Sequence, residues 1–379
     1  MKCFKKVFIS DIFIINYGFY IYIFLLITYF ICLFLFYGKY YSNIIEEIEI
    51  IVKAKHDLLE IKKKYINILP THDNIENQNN IFKKNKRRKR NKKNKFSKKE
   101  TNLNSIHNPR NEESINSNNI LQFETEKDIN LSIIENNIDY IKIRNILKYT
   151  ENQKNKLSYE IALIKDKRNF TEYYFSLLKT YHLFLFSFYT KNKDYNSKII
   201  KILLFFFLFG LHMMINALFF NDNTMHEIFI DEGNYNIVYH ISQIIYSNII
   251  SSVVNKIIKF LALSEKNILE IKSITKIKLL AQETEKVKKV LKIKFILFFI
   301  FSFLLLTFFT YYITCFCGIY INTQIHLIKD SVISFGLSSI YPFGLFLIPG
   351  IFRIIALKSK KKNREYLYKF SLLIQDLIC

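Results

Sequence analysis

The chain has 379 residues with a net charge of +23, and half of its residues are hydrophobic. A soluble protein with this positive excess would suggest nucleic-acid binding, but here the lysines flank long uncharged apolar runs. This arrangement excludes an ordinary soluble globular fold and is typical of an integral membrane protein.

The first apolar run covers residues 12–37 and contains no charged residue. It is longer than the roughly 20 residues that a bilayer span requires, and in lipid only a helix satisfies every backbone polar group internally. No small-residue cleavage site follows the run, so it predicts an anchor rather than a cleaved signal peptide. Residues 202–220, 295–321 and 331–352 repeat the pattern.

Residues 236–254 are apolar but contain several polar side chains, so a core strand or an interfacial helix is the alternative to a span. The lysines favour a span: residues 221–235 contain acidic residues and no Lys or Arg, whereas 256–294 are rich in Lys. Because basic flanks stay in the cytoplasm, the chain must cross between these segments. The same rule places the N-terminus outside, the short loop around 322–330 outside, and the C-terminus inside.

The predicted fold class is therefore an all-α polytopic membrane protein with about five transmembrane helices and a long, partly disordered cytoplasmic loop. Its predicted segments are an N-terminal anchor span (1–39), an amphipathic helix ending at Pro70 (40–70), a disordered Asn/Lys-rich loop (71–127), a helical segment with an interfacial elbow helix at 172–190 (128–197), a four-span membrane module (198–357) and a basic cytoplasmic tail (358–379). Within the module, 255–294 predict a long helix or helical hairpin, which is the candidate surface for homo- or hetero-oligomer formation.

The predicted disordered loop contains a strongly basic run, which in a membrane-anchored chain favours contact with anionic lipid of the inner leaflet. Compositional drift is an even alternative, and nucleic acid ranks last. The candidate lipid-binding residues are Lys83, Lys84, Lys86, Arg87, Arg88, Lys89 and Arg90.

The sequence contains no motif for nucleotide binding, zinc hydrolysis or serine hydrolysis. Its cysteines have no metal-site spacing. We therefore expect no catalytic residue, no cofactor and no metal, and the chain is not predicted to be an enzyme.

Polar residues inside predicted spans are costly in lipid and usually face a bundle interior or a water path. They form a candidate intramembrane polar path; the alternative is that they make interhelical hydrogen bonds that only hold the bundle together. No Asp or Glu is predicted deep in a span, and a kink is expected at Pro342. The path residues are His212, Asn216, His240, Gln243 and Asn248.

The strings NALFFNDNTMHEIFIDEG (216–233), YHISQIIYSNIISSVVNKIIKFLALSEKNI (239–268) and the segment 311–354 resemble the C-terminal membrane region of a family of large membrane proteins of ciliates and apicomplexan protists. The resemblance covers roughly 198–370. That family usually carries a cysteine-rich extracellular region, which is missing here, so a receptor role does not follow.

The order of spans and loops is also similar to the transmembrane region of the polycystin family. However, 38–198 show no sign of the β-sandwich that polycystins carry there, and no pore domain follows Cys379. The sequence therefore predicts a non-enzymatic membrane scaffold or sensor subunit, with a channel or transporter subunit as the alternative, in a membrane whose identity stays open.

Overall fold

The computed structural model describes residues 14–68, 138–189, 194–234, 236–274, 276–358 and 364–378, and every regular element within them is helical. The predicted disordered loop (71–127), with its basic run, lies outside the described residues. The helices are α1 (Tyr17–Leu35), α2 (Tyr41–Ile68), α3 (Ile138–Leu147), α4 (Glu151–Asn155), α5 (Tyr159–Lys165), α6 (Phe170–Tyr181), α7 (Leu183–Phe188), α8 (Lys198–Leu218), α9 (Asp222–Ile230), α10 (Ile237–Ala262), α11 (Glu265–Ser273), α12 (Ile277–Ile319), α13 (Gln324–Leu345), α14 (Leu347–Lys358) and α15 (Glu365–Ile378).

Five of the described helical stretches are long and apolar enough to cross a membrane, which confirms the predicted fold class. They are Tyr17–Ile61, Lys198–Leu218, His240–Ala262, Lys278–Ile319 and Ile321–Lys358. The first joins α1 to α2 through a short π-helical turn at Phe36–Tyr40. The third is the stretch whose polar residues made it the least certain span in the sequence.

The described residues form two units, the first made of residues through Val52 and from Lys148 onward, and the second of the residues between them. In the first unit α8 is the central helix and packs against α1, α10, α12 and α13. Most of its residues are therefore buried, whereas α10 exposes a stripe of large apolar side chains of the kind that faces lipid.

The span α12 runs antiparallel to α1 and to α10, as the contacts at their ends show. At one end, Lys288 pairs with Glu49 at 3.1 Å and Lys294 donates to the carbonyl of Leu263 at 2.9 Å. At the other, the Asn16 amide donates to the carbonyl of Thr314 at 2.8 Å. The first end is rich in lysine, so the positive-inside rule predicts that it faces the cytoplasm and that the second end lies outside, and this orientation stays a prediction.

Small residues and buried tyrosines allow α1 to pack closely on its neighbours. A Cβ at Gly18 would come within 2.6 Å of the Ile313 side chain on α12, so only glycine fits there. The Tyr29 hydroxyl donates to the carbonyl of Phe299 at 2.8 Å, which satisfies a polar group that has no access to water.

The last span differs from the sequence expectation in two ways. The predicted outer loop at 322–330 is mostly helix, because α13 begins at Gln324 after one 3₁₀ turn. The helix also continues through Pro342 and is interrupted only at Phe346, whose N–H bonds to the carbonyl of Pro342 at 3.0 Å. The kink at Pro342 stays a prediction, and the regular helix is interrupted about one turn later, at Phe346.

Four short helices, α4 to α7, precede α8 in the chain. We call these four helices together the elbow. At 172–190 the chain forms α6 and α7, separated by His182 with extended backbone, and neither is long enough to cross a membrane. Both helices begin with side-chain caps: Asn169 accepts from the N–H of Glu172, and His182 accepts from the N–H of Leu185.

Beyond the third span, the predicted long helix or hairpin at 255–294 is a hairpin. The chain leaves α10 at Leu263, forms α11, and turns again before α12, against which α11 packs. The Ser264 hydroxyl donates to the carbonyl of Tyr195, and the Glu265 N–H donates to Asn196 Oδ1 at 3.1 Å, so the hairpin is attached to the loop directly before α8.

Candidate functional site: an outer polar network and a cytoplasmic arginine cluster

Three of the five predicted path residues take part in a cluster of buried polar side chains inside the bundle, near the end predicted to lie outside. It consists of two hydrogen-bonded or ion-paired groups, one around Asp330 and one around His212. We call this cluster the outer polar network. It joins α8, α10 and α13, and its side chains belong to His212, His240, Gln243, Ser247, Asp330 and Ser334.

The centre of the outer polar network is the contact between His240 on α10 and Asp330 on α13, which is an ion pair when His240 is protonated. His240 Nδ1 lies 2.7 Å from Asp330 Oδ2, and the two residues are 1% and 0% exposed. Asp330, which the sequence assigned to an outer loop, lies in the second turn of α13, within the last helical stretch that is long and apolar enough to cross a membrane. Burial of a carboxylate beside an imidazole is costly unless the two are paired, and here they are.

Gln243 links the ion pair to α8. Its Nε2 donates to the carbonyl of Asn216 at 3.1 Å and lies 3.3 Å from Asp330 Oδ2. Both partners are acceptors, so this orientation of the amide is the one that makes favourable contacts. Its carbonyl Oε1 has no hydrogen-bond partner among the described residues.

His212 forms the inner end of the outer polar network. Its Nδ1 lies 3.1 Å from the Ser334 hydroxyl and 3.4 Å from the Ser247 hydroxyl. The Phe335 ring packs against the imidazole, with ring centroids 5.6 Å apart. Toward the N-terminus of α8, Leu208 and Leu204 are buried.

The other two predicted path residues, Asn216 and Asn248, do not take part in the outer polar network through their side chains. Asn216 is fully buried but contributes its backbone carbonyl, and its side-chain amide has no hydrogen-bond partner within the described part of the chain. Asn248 is half-buried, and its Oδ1 likewise makes no hydrogen bond there. From His212 to Lys201, α8 runs about 16 Å, and the residues between them are apolar side chains and Gly210. The polar path stays a prediction.

A pocket of about 260 Å³ opens beside the outer polar network at the outer end of α8 and α10. Its walls combine polar oxygen-bearing side chains with two aromatic rings, and none of them is Lys or Arg. The lining residues are Phe219, Asn221, Asn223, Thr224, Glu227, Ser242, Gln243 and Tyr246. Gln243 thus belongs both to the pocket wall and to the network behind it.

At the lysine-rich end of the bundle, Arg353 of α14 is completely buried, although the sequence used it only as a marker of topology. Its Nη2 donates to Asp166 Oδ2 at 2.9 Å and to the carbonyl of Lys154 at 2.7 Å, and its Nη1 donates to the carbonyl of Asn155 at 3.1 Å. The two carbonyls end α4, where helical partners are missing, so Arg353 caps that helix.

Asp166 is shared between two arginines. Arg168 binds it bidentately, with Nε to Oδ1 at 2.7 Å and Nη2 to Oδ2 at 2.8 Å, while Arg353 binds Oδ2 from the other side. Burial alone would raise the pKa of Asp166, but the hydrogen bonds and charges of Arg168 and Arg353 outweigh it and hold that pKa below its ordinary value.

Two tyrosines enclose the Arg353 guanidinium. It lies 4.7 Å from the ring centroid of Tyr173 on α6 and 4.7 Å from that of Tyr368 on α15. The Tyr368 hydroxyl donates to the carbonyl of Leu157 at 2.7 Å, and burial, the largest effect, raises the pKa of Tyr368 to about 12. The segment predicted as a basic tail therefore contributes α15 to this core.

We call Asn155, Asp166, Arg168, Tyr173, Arg353 and Tyr368 the arginine cluster. Sequence reasoning missed it because its members are up to 213 positions apart along the chain and follow no local motif. The available signal was a single arginine directly after the apolar residues of the last span, next to Pro349 and Gly350.

Comparison of the chain with protein-family models, with curated proteins and with solved structures gave no match. The functional conclusions below therefore depend on the residues and their geometry.

Proposed function

We propose that the chain is a non-enzymatic sensor subunit of a membrane, in which the last span transmits a change at the outer face to the cytoplasmic elbow. One observation supports this proposal. α13 carries Asp330 in the outer polar network, and α14, its continuation beyond Phe346, carries Arg353 in the arginine cluster. About 35 Å of helix separates the two residues, roughly the thickness of a bilayer.

The interruption at Phe346 lies where such a change would be transmitted. Phe346 is 1% exposed and packs with Tyr173, Leu177 and Leu178 of α6. Nearby, the Tyr174 hydroxyl donates to the carbonyl of Phe343 at 2.9 Å. A shift of α13 therefore has to be absorbed at Phe346 or passed on to α6.

The test compares Asp330→Asn, which keeps the shape of the side chain and removes its charge, with the control Lys329→Gln on the exposed face of the same helix. In nanodiscs, amide exchange of α6 should change about fivefold or more in D330N only, since coupling between sites is typically about 1–3 kcal/mol. Exchange at 295–310 reports whether the bundle itself is intact. If D330N alters α10 and α13 while α6 exchanges as in the parent protein, the molecule is a rigid scaffold and the sensor proposal fails.

A channel or transporter subunit, as the resemblance to polycystins implies, is the second candidate. The observation that favours it is the His240–Asp330 ion pair, because ionisable groups inside a membrane often line ion pathways. Replacing His212 and Asn216 by Leu should abolish flux in reconstituted vesicles if they line such a path. Unchanged flux with intact folding eliminates the path.

The remaining partner proposals concern contacts that the sequence favours. Anionic lipid of the inner leaflet is proposed for the basic run Lys83–Arg90, and contact with a second subunit for the hairpin at 255–294. Vesicle binding with and without phosphatidylserine, using a variant with the basic run replaced by Asn and Ser, tests the first.

A further inference from the structure

We propose that the pocket between α8, α9 and α10 binds a small primary ammonium group from the outer side. This inference rests on the proposed sensor function only for its biological purpose, since the binding itself can be measured separately. The volume of about 260 Å³ is below the usual range for drug-sized ligands, so the occupant is small.

The charge around the pocket selects a cation. Glu227 is part of its wall, no Lys or Arg lines it, and the segment 221–235 contains four acidic residues and no Lys or Arg. Asp330 lies directly behind Gln243, in contact with Gln243 Nε2. An anionic ligand would meet the Glu227 carboxylate in the wall and the Asp330 carboxylate behind Gln243, with no Lys or Arg among the lining residues to offset them.

The type of acceptor then favours an ammonium that can donate hydrogen bonds. Gln243 is 5% exposed, and its Nε2 is used by the outer polar network, which leaves Oε1 as a buried acceptor that lacks a donor within the described part of the chain. Such an acceptor is unfavourable until a donor reaches it. A primary ammonium offers three N–H donors, enough for Gln243, Glu227 and one neighbouring oxygen.

The aromatic part of the wall fits the carbon portion of such a ligand. Phe219 and Tyr246 are stacked, with ring centroids 5.5 Å apart and planes inclined by 27°. Rings of this kind attract a cation over their faces and bury an alkyl chain. A divalent metal fits less well, because Ca²⁺ sites usually combine several carboxylates and this pocket has one, Glu227.

The same ammonium chemistry occurs in free amines and in the headgroup of phosphatidylethanolamine. The experiment therefore uses the full chain in nanodiscs made of phosphatidylcholine alone and in nanodiscs that also contain phosphatidylethanolamine. Butylammonium is titrated by calorimetry, with 1-butanol as the uncharged control of similar shape. Saturable binding of butylammonium and none of butanol is expected.

The variants are Glu227→Gln, which removes the charge from the pocket wall, and Asp222→Asn, which removes an exposed charge from the same helix outside the wall. E227Q should weaken butylammonium binding at least tenfold, since a hydrogen bond to a charged group contributes about 1.5–3 kcal/mol. D222N should leave it nearly unchanged. Both positions are on the surface of α9, so neither change should prevent folding.

Weaker butylammonium binding in nanodiscs with phosphatidylethanolamine would identify the lipid headgroup as the competing source, and equal binding would favour a free amine; both support the site. Absence of saturable binding, equal binding of butanol, or equal loss in E227Q and D222N would overturn it, as would Ca²⁺ binding that depends on Glu227 without amine binding.

Exchange of α6 measured with and without butylammonium tests the sensor role separately: binding without any change there refutes the sensor function and leaves the site intact.

Discussion

Replacing Arg353 by Met is the sharpest test of how the elbow is held to the last span. The change removes the hydrogen bonds to Asp166, Lys154 and Asn155 and both ring contacts, and keeps an unbranched apolar side chain about as long as the arginine stem. Breaking a buried ion pair costs about 3–5 kcal/mol. Asp166 keeps its two bonds to Arg168, so the cost for the pair should be near the lower limit, about 3 kcal/mol.

The expected result is local opening of the elbow. At about 1.4 kcal/mol per factor of ten, 3 kcal/mol corresponds to a roughly 150-fold faster amide exchange in residues 154–177. Arg353→Lys should lie between the parent and R353M, because an ammonium keeps the charge but cannot bond to Asp166 and two carbonyls while stacking between two rings. Exchange is measured by mass spectrometry on the protein in nanodiscs.

The matched control is Lys358→Met, which removes an exposed cation from the same helix. It should leave exchange in 154–177 unchanged. If R353M and K358M behave alike, the arginine cluster does not hold the elbow, and the coupling between α14 and α6 loses its structural basis.

Three further predictions address the bundle, the pH dependence and the topology. Gly18→Ala should lower resistance to detergent-induced unfolding, followed by circular dichroism, because its Cβ would clash with α12, whereas Gly336→Ala meets no atom within 4 Å and should be neutral or mildly stabilising; equal effects would contradict the close packing of α1. A carboxyl whose folded pKa is depressed contributes stability above its ordinary pKa, which is 3.8 for Asp166, and loses that contribution as the pH falls through the folded value. Elbow protection, corrected for intrinsic exchange, should therefore persist from pH 7 to pH 4, and its loss between pH 6 and 5 would refute the shared-aspartate geometry. Accessibility tags at 225–232 and at 360 should be labelled from opposite sides of the membrane; labelling from one side would remove the third span.

The number of spans could be predicted because hydrophobic length and lysine position are local properties of the chain. The span at His240–Ala262 illustrates this, since the alternation of acidic and basic flanks required it in spite of its polar residues. The helix around Asp330 could not be predicted, because the charge of Asp330 makes the surrounding residues resemble a loop. Only the structure shows that His240 faces this carboxylate from another helix.

The arginine cluster lay beyond sequence reasoning for a related reason. Arg353 and Asp166 are 187 positions apart, and each has an ordinary local explanation, one as a basic flank and the other as a loop acid. Only packing of α14 against the elbow brings them together. The five-span fold class is thus confirmed, while the sidedness of the bundle stays a prediction.

The central position of α8 has a consequence for how the protein is made. His212 leaves the ribosome long before its neighbour Ser334, which follows 122 positions later. At about 5–20 residues per second, synthesis of the intervening chain takes on the order of 6–25 seconds. Until α10 and α13 have both been made, the polar face of α8 is not fully covered, and exposure of such groups to lipid is costly. We therefore expect α8 to stay beside the insertion machinery until the last span arrives, so that ribosome-bound chains stopped before residue 331 should still crosslink to that machinery through α8.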